Sequence, residues 1–286
     1  MPRPRWLIQS TGINSHNIEA DFETLLKLGY PYSDYGVIPF TSLLTNLENI
    51  LTDSSEKFVI RGGTKVLTVL TKVNSLREIN ELLNPQQIRD SVEYLTNLKN
   101  GIFYNEQNFD QAHYGQLNLP LLNSGASLYP IRTNLYLSFP TDVFIKPSKD
   151  QKSFNAGILD KGRTIHEFVT SQMHHESYID EMAVIAPCKK ILAEYRFFVV
   201  EQQVITGSQY RRDNKLQISS TIPRKVWDIA KEFALLYQPH DVFTMDLAET
   251  PEGTLIVEYN CWNASGLYAT NVAKIFGVIN EYQFAK

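Results

Sequence analysis

The sequence predicts a mixed architecture, α/β over residues 1–100 and α+β over residues 101–286. Three observations carry this reading. Strand-like and helical runs alternate through the first ~75 residues, strand pairs joined by tight turns dominate after Asp142, and a late hairpin sets two carboxylates into otherwise apolar strands.

In order along the chain, residues 6–9 read as a short strand, and residues 17–28 as a helix with apolar positions at Ile18, Phe22, Leu25 and Leu26. Residues 35–40 and 58–60 read as further strands, so a small parallel sheet is expected at the start. Residues 76–98 carry helical periodicity, interrupted at Asn84-Pro85, where proline suits the first turn of a new helix. The stretch 101–140 is the least regular, with aromatic residues and turn formers interleaved, and a domain boundary is expected near its start. Beyond it come a strand at 143–146, a helix over about 164–173, strands at 193–201 and 203–209, and a helix over 223–236.

With 286 residues the chain can bury a large core, as one multi-lobed unit or as two domains. Its net charge of −4 argues against a general nucleic-acid surface, because phosphate neutralisation needs clustered Lys and Arg. Adjacent basic residues, such as Lys189-Lys190 and Arg211-Arg212, occur in pairs and never in longer runs. Two cysteines, Cys188 and Cys261, make neither a disulfide framework nor a zinc site. No 18-residue apolar run exists, and the first residues lead into a strand rather than a signal segment, so a soluble, cytoplasmic protein is expected. The histidines lack ligand-like spacing, and the adjacent His174 and His175 would diverge on a helix.

The richest stretch is Val257-Glu258-Tyr259-Asn260-Cys261-Trp262-Asn263-Ala264-Ser265-Gly266. A Thr250-Pro251-Glu252-Gly253 turn separates it from a second acid, Asp246. A hairpin symmetric about Glu252 would set Asp246 opposite Glu258, with Cα atoms roughly 4.5–5.5 Å apart. The strand period of two then puts Asn260 on the face of Glu258. Solvated acids on an open hairpin are the plain alternative. The apolar setting (Val242, Phe243, Met245, Leu247, Leu255, Ile256, Val257) favours a hard-oxygen site for Mg²⁺ at Asp246, Glu258 and Asn260.

Two further constellations complete the chemistry. The run Val143-Phe144-Ile145-Lys146-Pro147 ends in a lysine beside a small-polar loop, a natural place for phosphates, although the loop is neither a Walker A nor a GxGxxG motif. In Ala193-Glu194-Tyr195-Arg196, the acid and the guanidinium share one strand face. They are either a surface ion pair or a carboxylate for ribose hydroxyls beside a cation for an anionic reacting group. Arg211 or Arg212, at the end of the next strand, could reach the same cavity.

A strand-end lysine, a Glu-x-Arg strand and an Asp…Glu-x-Asn hairpin, in this order, resemble the ATP-grasp superfamily, and in particular a divergent clade of it with an arginine and lysine signature. The blocks are FIKP…K-x-F-x-x-G, AEYRF, S-x-Y-R-R and EYNCWNASGLY, over about residues 142–275. The resemblance implies an ATP-grasp fold of two α+β lobes holding ATP between them, preceded by a small α/β domain. It implies that Lys146 and Lys152 contact ATP and that the loop 148–154 is a lid. By the same resemblance, Val184 and Ile185 meet adenine from an interlobe hinge over 181–188, and Glu194 holds ribose. Asp246, Glu258 and Asn260 would bind Mg²⁺, and Asn263 would join the ligand-binding set beside Ser265, Gly266 and Tyr268 at the acceptor end. Many members carry an Arg two residues before the first metal-binding Asp; here that residue is Thr244, so Arg196 or Arg211 must supply the catalytic cation alongside Lys146.

The implied reaction is ATP- and Mg²⁺-dependent ligation of a carboxylate to an amine through an acyl-phosphate. The alternatives are a small-molecule kinase of the same fold and a nucleotide-binding module without catalysis, the latter fed by Thr244. The carboxylate and amine partners carry no code in the sequence, and a homodimer is compatible with apolar helix faces in the first domain.

Overall fold

The computed structural model describes residues 3–10, 18–37, 44–45, 56–63, 99–150, 153–172 and 180–286. In chain order its elements begin with β1 (Arg5–Gln9), α1 (Ile18–Leu28), β2 (Tyr32–Val37), β3 (Leu44–Thr45) and β4 (Phe58–Arg61). There follow α2 (Gln111–Tyr114), β5 (Ser127–Pro130), α3 (Ile131–Asn134), β6 (Val143–Pro147), β7 (Gly157–Leu159), α4 (Ile165–Gln172) and β8 (Met182–Pro187). The remainder is β9 (Ala193–Val200), β10 (Gln203–Arg212), β11 (Lys215–Ser219), α5 (Arg224–Ala234), β12 (Val242–Thr250), β13 (Gly253–Cys261), a 3-10 turn (Trp262–Ala264) and α6 (Val272–Ala285). The helical periodicity over 76–98 lies outside the described residues.

Contacts divide the chain into two compact units, one of residues 1–104 with 261–286 and the other of residues 105–260. In the first, β1 runs parallel to both β2 and β4, and β3 adds antiparallel to β2, giving the order β3-β2-β1-β4. The parallel sheet is the one that strand–helix alternation predicts. Trp6 of β1 is fully buried, with ring centroids 4.5 Å from Phe276 and 5.9 Å from Trp262. Its indole N–H donates to Asn280 Oδ1 at 3.1 Å. These anchors tie the C-terminal segment to the first unit, so 101–286 is not one compact piece. Burying three large aromatic rings outweighs sequence adjacency.

The second unit holds two sheets. One has the order β5-β8-β6-β7, with Ile145, Leu159, Ala183 and Ile185 packed with Ile165, Phe168 and Val169 of α4 in one core. Strand alternation therefore sends Val143 and Ile145 to that core and Phe144 and Lys146 to the opposite face. The other sheet has the order β11-β10-β9-β12-β13. Along β9, Phe197 stands 5.2 Å edge-on from Trp227 of α5, so this helix covers the face bearing Tyr195, Phe197 and Val199. Glu194, Arg196 and Phe198 are left on the other face, and every residue of β9 is buried.

The β9–β10 turn, Glu201-Gln202, and the β10–β11 turn, Asp213-Asn214, both use paired left-handed residues, the backbone that matches strand twist in two-residue hairpins. Gly207 lies opposite Phe197, where an added Cβ would stand 2.7 Å from the Phe197 ring and 3.0 Å from the Arg196 carbonyl oxygen. Only glycine permits that approach. Gly207→Ala should therefore cost about 1–3 kcal/mol, read by thermal or denaturant unfolding; an unchanged midpoint would contradict the packing described.

Candidate active site

The site is built on the β9 face that α5 leaves uncovered. Arg196 is paired in register with Asp246 of β12. Its Nε and Nη2 donate to Asp246 Oδ1 at 2.8 Å and Oδ2 at 2.7 Å, a two-pronged pair with side chains 8% and 2% exposed. Charges this deep persist only because each satisfies the other. Asn260 of β13 donates from Nδ2 to Asp246 Oδ2 at 3.3 Å, and the Thr244 hydroxyl donates to the Asn260 carbonyl at 3.2 Å. The missing arginine on β12 is thus answered by one on the neighbouring strand, aimed at the same acid.

Register slips between Gln209 and Arg211, making Tyr210 the extra residue of a bulge. Both residues consequently reach Glu194. The Tyr210 hydroxyl donates to Glu194 Oε2 at 2.7 Å, and Arg211 Nη1 donates to Oε1 at 2.8 Å. The Tyr210 ring also faces the Arg196 guanidinium at 5.9 Å. Burial, then the Asp246 and Glu194 charges, push the Tyr210 phenol well above its ordinary pKa, with Arg196 opposing. It stays a donor at neutral pH.

Across the unit, Lys146 leaves the core face of β6 and donates from Nζ to Glu258 Oε2 of β13 at 2.5 Å. Its side chain is 8% exposed and that of Glu258 is 25% exposed. The pair lines a cleft of about 260 Å³ together with Ser148, Asp150, Phe154, Asn260 and Tyr114. The Ser148 hydroxyl is buried there without a hydrogen-bond partner. Tyr114 packs edge-on against Tyr259 at 5.2 Å. Burial raises its phenol pKa well above the ordinary value, with the Glu258 charge adding to the effect.

Most of the residues singled out from the sequence therefore gather in this unit. Asn260 touches Asp246, Glu258 is held by Lys146, and Glu194, Arg196 and Arg211 form one connected network. Among the described residues no group of three or more His, Cys, Asp or Glu side chains gathers as a metal site. Lys152 lies outside the described residues, as do His174 and His175.

Two expectations need correction. Val184 and Ile185 sit in the middle of β8, paired to β5 on one side and β6 on the other, and Ile185 points into the core. Their main chain is committed to the sheet, so they are no hinge. The segment 188–192 that follows β8 is exposed over Cys188, Lys189 and Lys190, and its last residue, Leu192, donates its N–H to the Glu249 carbonyl and accepts from the Asp213 N–H. Asn263 belongs to the first unit and is fully buried. Its Oδ1 accepts from the Phe103 amide at 2.8 Å, while Nδ2 donates to the carbonyls of Gly101, at 3.0 Å, and Ile60. Its amide is spent on the scaffold. The Arg61 guanidinium reinforces the same turn by donating to the carbonyls of Trp262 and Ser265, both at 2.9 Å. The motif thus divides after Asn260, with its first part on the cleft and its second part structural.

Two cleft residues, and the Tyr210 contact to Glu194 outside the cleft lining, escaped the sequence reading. Phe109 and Tyr114 come from the irregular stretch after 101, where interleaved aromatics were the available signal. Tyr210 owes its place to a bulge, which no pattern in one sequence announces.

A family model for an ATP-grasp domain, the second family of the clade labelled by its arginine and lysine signature, matches residues 134–278, half of the chain, and the chain belongs to that family. No curated protein matches it in sequence. Solved structures extend the likeness of fold over the whole chain. The D-alanine–D-alanine ligase from Bacillus anthracis complexed with ATP is 12% identical, covering 99% of this chain and 98% of that one at a TM-score of 0.55. D-cycloserine synthetase DcsG is 9% identical, with 98% and 99% covered and a TM-score of 0.53. Macrocyclase MdnC, bound with precursor peptide MdnA from Microcystis aeruginosa MRC, is 12% identical, with 99% and 100% covered and a TM-score of 0.52. The chain has the ATP-grasp fold. No described helix is long and apolar enough to cross a membrane.

The scaffold role of Asn263 has a direct test. Asn263→Ala removes three buried hydrogen bonds, from the Phe103 N–H and to the carbonyls of Gly101 and Ile60, and should lower stability by about 2–4 kcal/mol. Denaturant unfolding checks this, and a loss under about 0.5 kcal/mol would contradict it.

Proposed function

We propose that this chain is an ATP- and Mg²⁺-dependent ligase that joins a carboxylate to an amine through an acyl-phosphate. The observation that carries the reading is the cleft in which Lys146 is held against Glu258, with Asn260 on the same wall and Asp246 in contact with Asn260. Two carboxylates and an amide make a hard-oxygen donor set that fits Mg²⁺. The unpartnered Ser148 hydroxyl beside Lys146 is a buried polar atom that a phosphate oxygen would satisfy. Mg²⁺, when bound with the nucleotide, supplies charge neutralisation at the phosphates.

The chain's own residues then divide the work. Lys146 holds phosphate oxygens, a role the resemblance extends to Lys152. Glu194, oriented by Tyr210 and Arg211, accepts from ribose hydroxyls. Arg196, fixed by Asp246, faces the transferring group and stabilises the charge that develops there. It answers the missing arginine at Thr244, and Arg211 is the second cation within reach of Glu194. The loop 148–154 closes over the cleft and keeps water from the acyl-phosphate. Ligation is favoured over simple phosphorylation by the kind of protein that shares the fold, including the D-alanine–D-alanine ligase, D-cycloserine synthetase and the macrocyclase with its precursor peptide. The amine is a small molecule or a peptide terminus or side chain.

Calorimetry with MgATP tests the reading. The Asp246→Ala, Glu258→Ala double variant should bind MgATP at least ~100-fold more weakly than the wild type, about 2.7 kcal/mol. Retained affinity would remove the site assignment. With a competent substrate pair, ADP release should require both the carboxylate and the amine; a phosphorylated product that accumulates in place of a condensed one would favour a kinase.

A further inference from the structure

The cleft holds its opposite charges against each other. Lys146 Nζ lies 2.5 Å from Glu258 Oε2, and the lysine side chain is only 8% exposed. Each group is the other's counter-ion. The neighbouring Lys149–Glu106 pair, at 2.8 Å, differs in that its side chains are 31% and 40% exposed, so water can screen either partner alone. Asp150 lies on the same wall and adds negative charge. The deeper Arg196–Asp246 pair does not line the cleft.

Consider what a ligand must do to enter. An anion that takes Lys146 strips Glu258 of its partner and places a second negative charge beside it. A cation that takes Glu258 does the reverse to Lys146. Either exchange takes the counter-charge from one member of the pair, which costs most for the 8%-exposed lysine and less for the 25%-exposed carboxylate. A ligand that brings both signs, phosphate oxygens with a divalent cation attached, gives each side chain a new partner in one step. We infer that Lys146 and Glu258 together determine ligand specificity, making the site select the metal–nucleotide complex and reject either component alone.

This inference rests on the nucleotide-ligase reading, but it makes a separate claim. The pair itself is the source of coupling between metal and nucleotide. Coupling of this kind is reciprocal, so metal must tighten nucleotide binding by the factor by which nucleotide tightens metal binding.

Calorimetric titrations with three probes test it: ATP in EDTA, MgCl₂ alone, and ATP in excess MgCl₂. The wild type should bind ATP at least ~10-fold more tightly with Mg²⁺ than without, within the range typical of coupled sites. Lys146→Met frees Glu258 and should tighten MgCl₂ alone at least ~10-fold. Glu258→Gln frees Lys146, should tighten metal-free ATP at least ~10-fold, and should collapse the ratio between the two ATP titrations. The double variant Lys146→Met, Glu258→Gln carries neither charge and should show neither gain, with thermal unfolding confirming its fold. MgATP binding by the wild type, together with no gain in either folded single variant, would overturn the inference and leave the nucleotide reading in place. Should the single variants fail to fold, a wild-type ratio below ~3-fold overturns it alone. Failure of the wild type to bind MgATP at all would overturn the nucleotide reading and this inference with it.

Discussion

Burying a charge is tolerable only beside its opposite, and this constraint organises the 105–260 unit. Helix α5 takes one face of the five-stranded sheet, through Trp227 on Phe197, which forces Glu194 and Arg196 onto the other. Once there, neither can stand alone. Arg196 is met by Asp246, Glu194 by Tyr210 and Arg211, and Lys146 by Glu258. Continuum reasoning says that such pairs add little net stability over well-packed apolar residues. Such pairs in one unit are therefore a feature to be explained by chemistry rather than by folding.

Cross-strand geometry brings an arginine to Asp246 from the neighbouring strand rather than from its own. The position two residues before Asp246 is Thr244, whose hydroxyl serves the main chain of β13. Cross-strand register places Arg196 directly opposite Asp246 instead. A guanidinium supplied from the adjacent strand reaches the same acid with a two-pronged fit that a lysine could not reproduce. The bulge at Tyr210 has a related effect, since it lets two successive side chains converge on one carboxylate.

Much of this was legible in the sequence, and the residues show why. Short apolar runs bounded by turn formers located β1, β4, β6, β9, β12 and β13, because strands buried over most of their length are apolar on both faces. The strand end at Lys146 and the spacing Glu258-x-Asn260 pointed to oxygen and phosphate chemistry from residue type alone. The resemblance assigns the segment 181–188 as a hinge, and a short apolar run says nothing about whether both of its edges will be paired. Asn263 sat inside the richest motif and was read as ligand-binding. Its true partners, Ile60, Gly101 and Phe103, are up to 203 residues away and invisible to local spacing. Tyr210 depended on a register slip that is a property of two strands together.

A crystal structure with a non-hydrolysable ATP analogue and Mg²⁺ bears most directly on the claim that the cleft's paired charges are a nucleotide site at rest. The account predicts that Lys146 leaves Glu258 for the phosphates, that Asp246, Glu258 and Asn260 turn to the metal, and that Arg196 faces the terminal phosphate. Nucleotide bound elsewhere, with Lys146 still against Glu258, would contradict it.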